Sequence, residues 1–181
     1  PNDEMTELAL SASPVFEPKG SLSRHPQYMG PPRYGMTEFA DLFSRRQLTA
    51  LTTFSSLLDE LELKVQQDAK VISSDDKNTL DDGGAGPVAY AQAVRTYIAF
   101  AIDRSANYWS MLNAWGGSFV VQVFSRQVVP MIWDFAEVNP FSSSTGNWLG
   151  AVKWITRVLD FAISPSGKGR SSQCDAASGP S

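Results

Sequence analysis

A capping box followed by an evenly spaced apolar stripe is the feature that most constrains the fold of this chain. In Ser44-Arg-Arg-Gln47 the serine hydroxyl and the glutamine amide can satisfy each other's backbone N–H groups, which is typical of a helix start. Apolar residues then recur at steps of three and four, broken only at Asp68, and these are Leu51, Phe54, Leu58, Leu61, Val65 and Ile72. This spacing predicts a helix of about seven turns that buries one face in a core, with a coiled-coil partner as the alternative.

Further helical segments follow along the chain. A short helical turn is expected before the capping box, and Pro87 is well placed to open a second helix. The helical turn is predicted over 37–43. The second helix has an apolar face from Val88 to Leu112 and stops at Gly116-Gly117. A third helix is predicted over 120–138, kinked at Pro130, and a last one over 147–162. The stretch 119–124 alone competes as a strand, through its β-branched residues. The sequence therefore predicts a mostly α, helical bundle-like domain.

Three regions differ in composition. Residues 1–33 form an irregular N-terminal segment, since several prolines and few periodic apolar positions fall within it. Residues 34–163 carry the helical domain. Residues 164–181 are rich in Ser and Gly and have the composition of a flexible tail or linker. An excised fragment of a larger protein fits this organisation better than a complete protein does.

Composition and charge exclude several classes of function. The net charge is -4 and the pI is about 4.9, so the chain as a whole does not attract nucleic acid. No apolar run reaches the roughly 20 residues that span a membrane, and no signal peptide is recognisable. Cys174 is the single cysteine, which excludes an internal disulfide and fits a cytoplasmic location. With His25 as the other soft ligand, a structural zinc site is not expected.

Two short motifs are interpreted as ordinary loops. Gly83-Gly-Ala-Gly86 follows no apolar strand, so it is interpreted as a flexible connector and not as a phosphate loop. Four aspartates near it, Asp75, Asp76, Asp81 and Asp82, lack the register of a calcium loop and predict a solvated acidic loop.

The stretch between Phe124 and Trp148 carries the candidate substrate-binding residues, which are Arg126, Trp133, Asp134, Glu137 and Asn139. On a helix, Arg126 and Asp134 would share one face on either side of the Pro130 kink, either as a buried salt bridge or as a ligand contact. Asn139-Pro140-Phe141 is interpreted as a helix stop, although it also resembles the motif with which amino-methyltransferases hold an exocyclic amine. Charged groups beside aromatic rings predict a concave binding surface, with a closed internal network as the alternative.

Several segments together resemble one protein family. Tyr34-Gly-Met-Thr37, Asp41-Leu-Phe43 with Arg46-Gln-Leu48, Ala99-Phe-Ala-Ile-Asp-Arg104, and 124–148 are similar to the central part of large bacterial adenine-specific DNA methylases. These methylases carry a zinc ribbon and often accompany anti-phage systems. The similarity covers roughly 34–160, and its most specific part is Trp133-Asp-Phe-Ala-Glu-Val-Asn-Pro-Phe141.

The resemblance implies a helical insertion between the two halves of a methyltransferase core. In that family the Gly-rich S-adenosylmethionine loop lies upstream and the catalytic Asp-Pro-Pro-Tyr lies downstream, and this sequence contains neither. The chain alone is thus expected to have no catalytic residues, no metal and no cofactor. Gln173-Cys-Asp-Ala176 is similar to the point where the family's chain re-enters the core, which would bring Asp175 near the cofactor's adenine.

The function implied is adenine-N6 methylation of DNA by the parent enzyme, with the target base flipped into the catalytic pocket. The expected partners are DNA, through the parent enzyme, and the rest of the methyltransferase chain, with no membrane. Two alternatives belong to other classes of protein. One is a helical interaction or assembly module of a bacterial defence system, and the other is a structural spacer.

Overall fold

The computed structural model describes residues 2–69 and 75–162 of the chain. In these ranges it contains α-helices, two short 3-10 turns and isolated β-bridges, but no extended strand. The helices are α1 (Asp3–Leu10), α2 (Arg45–Ser56), α3 (Leu58–Asp68), α4 (Pro87–Ala106) and α5 (Trp148–Phe161), and the turns are Pro31–Tyr34 and Phe39–Leu42. The prediction of a mostly helical domain is confirmed for the described residues.

The predicted helix starts are confirmed where local capping signals mark them. Ser44 is the N-cap of α2, and its backbone N–H donates to the Gln47 side chain at 2.8 Å while its hydroxyl accepts from the Gln47 N–H at 3.3 Å. Pro87 opens α4, and the Asn147 side chain caps α5 by accepting from the Gly150 N–H. The Ser44 and Asn147 side chains accept from N–H donors that a helix start otherwise leaves without a partner, whereas Pro87 has no N–H to satisfy.

The single helix of about seven turns predicted from the capping box at Ser44 is wrong, because the chain forms two helices that meet at Leu57. The last turns of α2 are rich in Ser and Thr, whose hydroxyls bond back to backbone carbonyls, as Thr52 does to Leu48 and Ser56 does to Thr53. Such bonds compete with the helical pattern and bend helices. Ile72, the last position of the predicted stripe, lies outside the described residues.

The second predicted helix is confirmed at its start and wrong at its end, since α4 stops at Ala106. Trp109 and Leu112 belong instead to an irregular segment that is buried in the core. Asn113 organises this segment: its side chain donates to the Asn107 and Val121 carbonyls and accepts from the Ser110 N–H. Because the oxygen and the nitrogen of this buried amide both have hydrogen-bond partners within the protein, the amide stabilises an irregular backbone. A helical pattern alone does not predict that backbone.

The helix predicted over 120–138 is wrong, because this stretch belongs to an irregular segment over 120–141, here called the strap. Its backbone bonds reach distant parts of the chain: the Val129 N–H donates to the Tyr28 carbonyl at 2.8 Å, and the Ala136 N–H donates to the Asn113 carbonyl at 2.8 Å. The competing strand at 119–124 is reduced to one isolated bridge, between Trp115 and Val120. Pro130 and the run of valines disfavour a helix here.

The core has two adjoining parts. One contains Leu22, Leu42, Leu112, Val123 and Val129, so it joins the N-terminal segment to the strap. The other contains Leu51, Tyr108, Trp109 and Val120, with Phe54 and Trp148 packed against it. Helix α4 contacts α2, α3 and α5. The N-terminal segment, predicted as irregular, begins with α1 and then runs along α2, where the Val15 N–H donates to the Thr52 hydroxyl.

Candidate functional site

Two of the predicted site residues, Glu137 and Asn139, meet at a cleft between the strap and the start of α2. The cleft has a volume of about 320 Å³. Polar and apolar groups both line it, and they are Arg46, Gln47, Ala50, Trp109, Glu137, Val138, Asn139 and Pro140. A concave surface with a few convergent polar groups and an apolar wall is typical of a binding site for a small molecule.

The capping box of α2 positions one edge of this cleft. Glu137 accepts a hydrogen bond from the Ser44 hydroxyl at 3.0 Å and forms an ion pair with Arg46. Its carboxylate thus lies at the N-terminus of α2, where the helix dipole favours a negative charge. The same serine that starts the helix therefore also holds the strap in place, 93 residues further along the chain.

Gln47 brings a polar group to the cleft that the sequence analysis did not assign to a site. Because its Oε1 accepts from the Ser44 N–H, the capping box fixes the orientation of the amide and leaves Nε2 as the remaining group. This Nε2 is buried and has no hydrogen-bond acceptor within the described residues. The capping motif identified Gln47 in the sequence, but nothing in the motif indicates that the residue also lines a cleft.

Trp109 supplies the apolar wall and is held rigidly. It is almost fully buried, and its indole N–H donates to the Gly146 carbonyl at 2.8 Å. The Phe54 ring lies 5.8 Å from it and stacks at 4.4 Å on Trp148. The helical spacing of the sequence predicts Trp109 on a helix face and carries no signal of its place in this cleft.

Asn139 does not stop a helix, because no helix precedes it, and that prediction is wrong. Its side-chain oxygen instead accepts from the Phe141 N–H at 3.0 Å, which closes a local turn. The side chain is exposed at the rim of the cleft, and the Phe141 ring beyond it is 82% exposed.

The other three predicted residues do not join this cleft. Arg126 lines a separate hollow of about 140 Å³, together with Gln122 and Pro130. Trp133 is 73% exposed and contacts the Tyr34 ring edge-to-face, with the ring centres 4.9 Å apart. The helix face that was to pair Arg126 with Asp134 does not exist; within the described chain the two form no ion pair, so the predicted buried salt bridge is wrong.

The predicted cofactor contact Asp175 and its neighbour Cys174 lie outside the described residues. The Gly-rich stretch 83–86 does not fit a cofactor loop, because no strand delivers it and the Asp76 side chain accepts hydrogen bonds inside the loop. The lining of the cleft contains no nucleophile beside a base.

The chain matches no protein-family model, and it has no significant match among curated proteins or solved structures. Over residues 2–69 and 75–162, no helix combines the length and the apolar character that crossing a membrane requires.

Proposed function

We propose that this chain is the helical middle domain of an S-adenosylmethionine-dependent adenine-N6 DNA methyltransferase and is not catalytic by itself. The cleft between the strap and α2 is the observation that carries the proposal. The part of the sequence with the most specific resemblance to such methylases, 133–141, supplies Glu137 and Asn139 to that cleft. A segment that served only as scaffold has no need to combine an open rim, a fixed aromatic wall and polar groups.

The exposure of the strap supports the same proposal. Trp133 and Phe141 are large apolar side chains that lie mostly in solvent on either side of the cleft residues. Exposed aromatic groups beside a polar cleft mark a surface that a partner covers. In the proposed enzyme that partner is the methyltransferase core, and the cleft lies where the domain meets the core and the flipped base.

The proposal is tested in the full-length parent enzyme with Asn139→Asp. Aspartate keeps the side-chain oxygen that accepts from Phe141, but it removes the amide N–H donors and adds a charge. Loss of one hydrogen bond to substrate predicts a fall in kcat/KM for DNA methylation of about tenfold, with Tm nearly unchanged. Gln127→Ala, an exposed strap residue outside the cleft, is the matched control and should leave both values unchanged.

A parent protein without a cofactor loop upstream and an amine-holding motif downstream would contradict the proposal. Full methylation activity in Asn139→Asp would contradict the role given to the cleft in that enzyme. A helical assembly module is the second candidate function, and the exposed aromatic residues Tyr97 and Phe100 on α4 favour it, since a protein partner could cover them. Under that function, Asn139→Asp would change neither methylation nor stability.

A further inference from the structure

Two arginines from different helices are arranged around one tryptophan, away from the cleft described above. The guanidinium carbon of Arg104, on α4, lies 4.5 Å from the centre of the Trp154 ring on α5. That of Arg157, one helical turn beyond Trp154, lies 5.9 Å from the same ring. Arg104 also lies 5.7 Å from the Tyr108 ring. Contacts between a cation and an aromatic face hold both guanidinium groups in defined positions.

No carboxylate in residues 2–69 and 75–162 lies within ion-pair distance of either arginine. Within the described ranges, Arg104 and Arg157 take part in no ion pair or side-chain hydrogen bond, although Asp103 and Asp160 are close to them in sequence. A guanidinium that stacks on a ring keeps its N–H groups free at its edge, and these groups match the oxygens of a phosphate. Both side chains thus keep their charge and their donors available for an anion.

The surroundings favour an extended polyanion over a small one. Lys153 adds a third cation on the exposed side of α5, and Trp154 itself is half exposed. A hollow of about 200 Å³ adjoins the arginine-bearing face and is lined in part by Arg104, Tyr108 and Trp154. Several cations clustered on one face of a domain are the electrostatic footprint of nucleic-acid binding.

We propose that the Arg–Trp patch, defined as Arg104, Lys153, Trp154 and Arg157, binds the phosphate backbone of DNA independently of base sequence. The choice of DNA rests on the proposed function, whereas the preference for a polyanion rests on the geometry of the patch. Because the whole chain carries a net charge of -4, binding depends on this local patch and falls steeply with salt.

The test uses the polypeptide itself and a fluorescent duplex of about 20 base pairs, with anisotropy measured from about 50 mM salt upward. We expect the double variant Arg104→Gln/Arg157→Gln to bind about tenfold more weakly and to show a shallower salt dependence, by about one unit of slope for each phosphate that is no longer neutralised. The matched control is Lys64→Gln/Lys77→Gln, which removes the same charge from exposed positions elsewhere and should bind as the unchanged protein does.

Two further arms complete the experiment. Arg157→Gln alone changes an exposed side chain, so it should keep the fold and still weaken binding if the double variant does not fold. Poly-glutamate at equal charge should compete poorly, and competition equal to that of DNA would overturn the assignment in favour of an acidic protein partner. Equal affinity of the patch variant and the lysine control, or no DNA binding at low salt, would also overturn it. These results concern the patch alone, since the methylation assay with Asn139→Asp tests the proposed function separately.

Discussion

At the scale of single residues, Ser44 connects the start of α2 to the strap. Its hydroxyl accepts from the Gln47 N–H and donates to Glu137. We expect Ser44→Ala to lower the free energy of unfolding by about 1 to 2 kcal/mol, because it removes both a helix cap and a hydrogen bond between two segments. Urea denaturation measures this change. Ser56→Ala, at the exposed end of the same helix, should change it by less than about 0.5 kcal/mol, and equal effects of the two variants would contradict the dual role of Ser44.

At the scale of elements, residues 75–86, which lead into α4, are organised around one carboxylate. Asp76 accepts from the Ala85 N–H at 2.8 Å and from the Asn78 N–H at 2.9 Å. These backbone hydrogen bonds, with that from Ala85 the largest cause, lower the pKa of Asp76 below its ordinary value. A carboxylate whose pKa is lower in the folded state adds stability above its unfolded pKa, and this stability is lost as the pH falls toward the lower folded pKa.

The pH dependence of unfolding tests this role of Asp76. We expect Asp76→Asn to be less stable than the unchanged protein near neutral pH and to lose less stability between about pH 5 and pH 3. The comparison is made by urea denaturation across that range. Asp75→Asn removes a neighbouring exposed charge and should leave the pH dependence unchanged. Parallel pH profiles for Asp76→Asn and the unchanged protein would show that the loop does not depend on this carboxylate.

The starts of α2, α4 and α5 could be predicted from the sequence because their causes are local. The Ser44–Gln47 box, Pro87 and the predicted start at Asn147 act within one turn, so their residues suffice to find them. The strap could not be predicted in this way. Its backbone bonds to Tyr28 and Asn113 join segments that lie far apart in sequence, and helical periodicity carries no information about them.

The candidate site could be predicted only in part, because some of its residues stand out locally and others are brought to it by the tertiary structure. Glu137 and Asn139 stand out as polar groups among aromatic residues, and they do line one cleft. Gln47 and Trp109 reach that cleft only through the path of the strap, so their place in it depends on tertiary structure. Arg126 and Asp134 were linked through a helix that does not form, and the link fails with it.

At the scale of the whole molecule, the proposed core-facing surface and the Arg–Trp patch are built from different elements. The cleft joins α2 to the strap, whereas the patch joins α4 to α5. Two consecutive core residues connect them. Tyr108 lines the hollow beside the Arg–Trp patch, and Trp109 lines the cleft. Under the two proposals together, the domain holds the DNA backbone at one surface while another surface meets the catalytic core.

Hydroxyl-radical footprinting can test whether the strap meets a core in the parent enzyme. In the polypeptide alone, Trp133 and Phe141 should be oxidised rapidly, since both are mostly exposed, while the buried Trp109 should be oxidised slowly. In the intact parent protein, if it is the proposed methylase, we expect the rates of Trp133 and Phe141 to fall toward that of Trp109, because the core would exclude solvent from the strap. Leu63, an exposed residue on α3, serves as the control and should keep its rate. If Trp133 and Phe141 are oxidised equally fast in both proteins, the strap does not face the core, and the domain acts as an assembly module or a spacer.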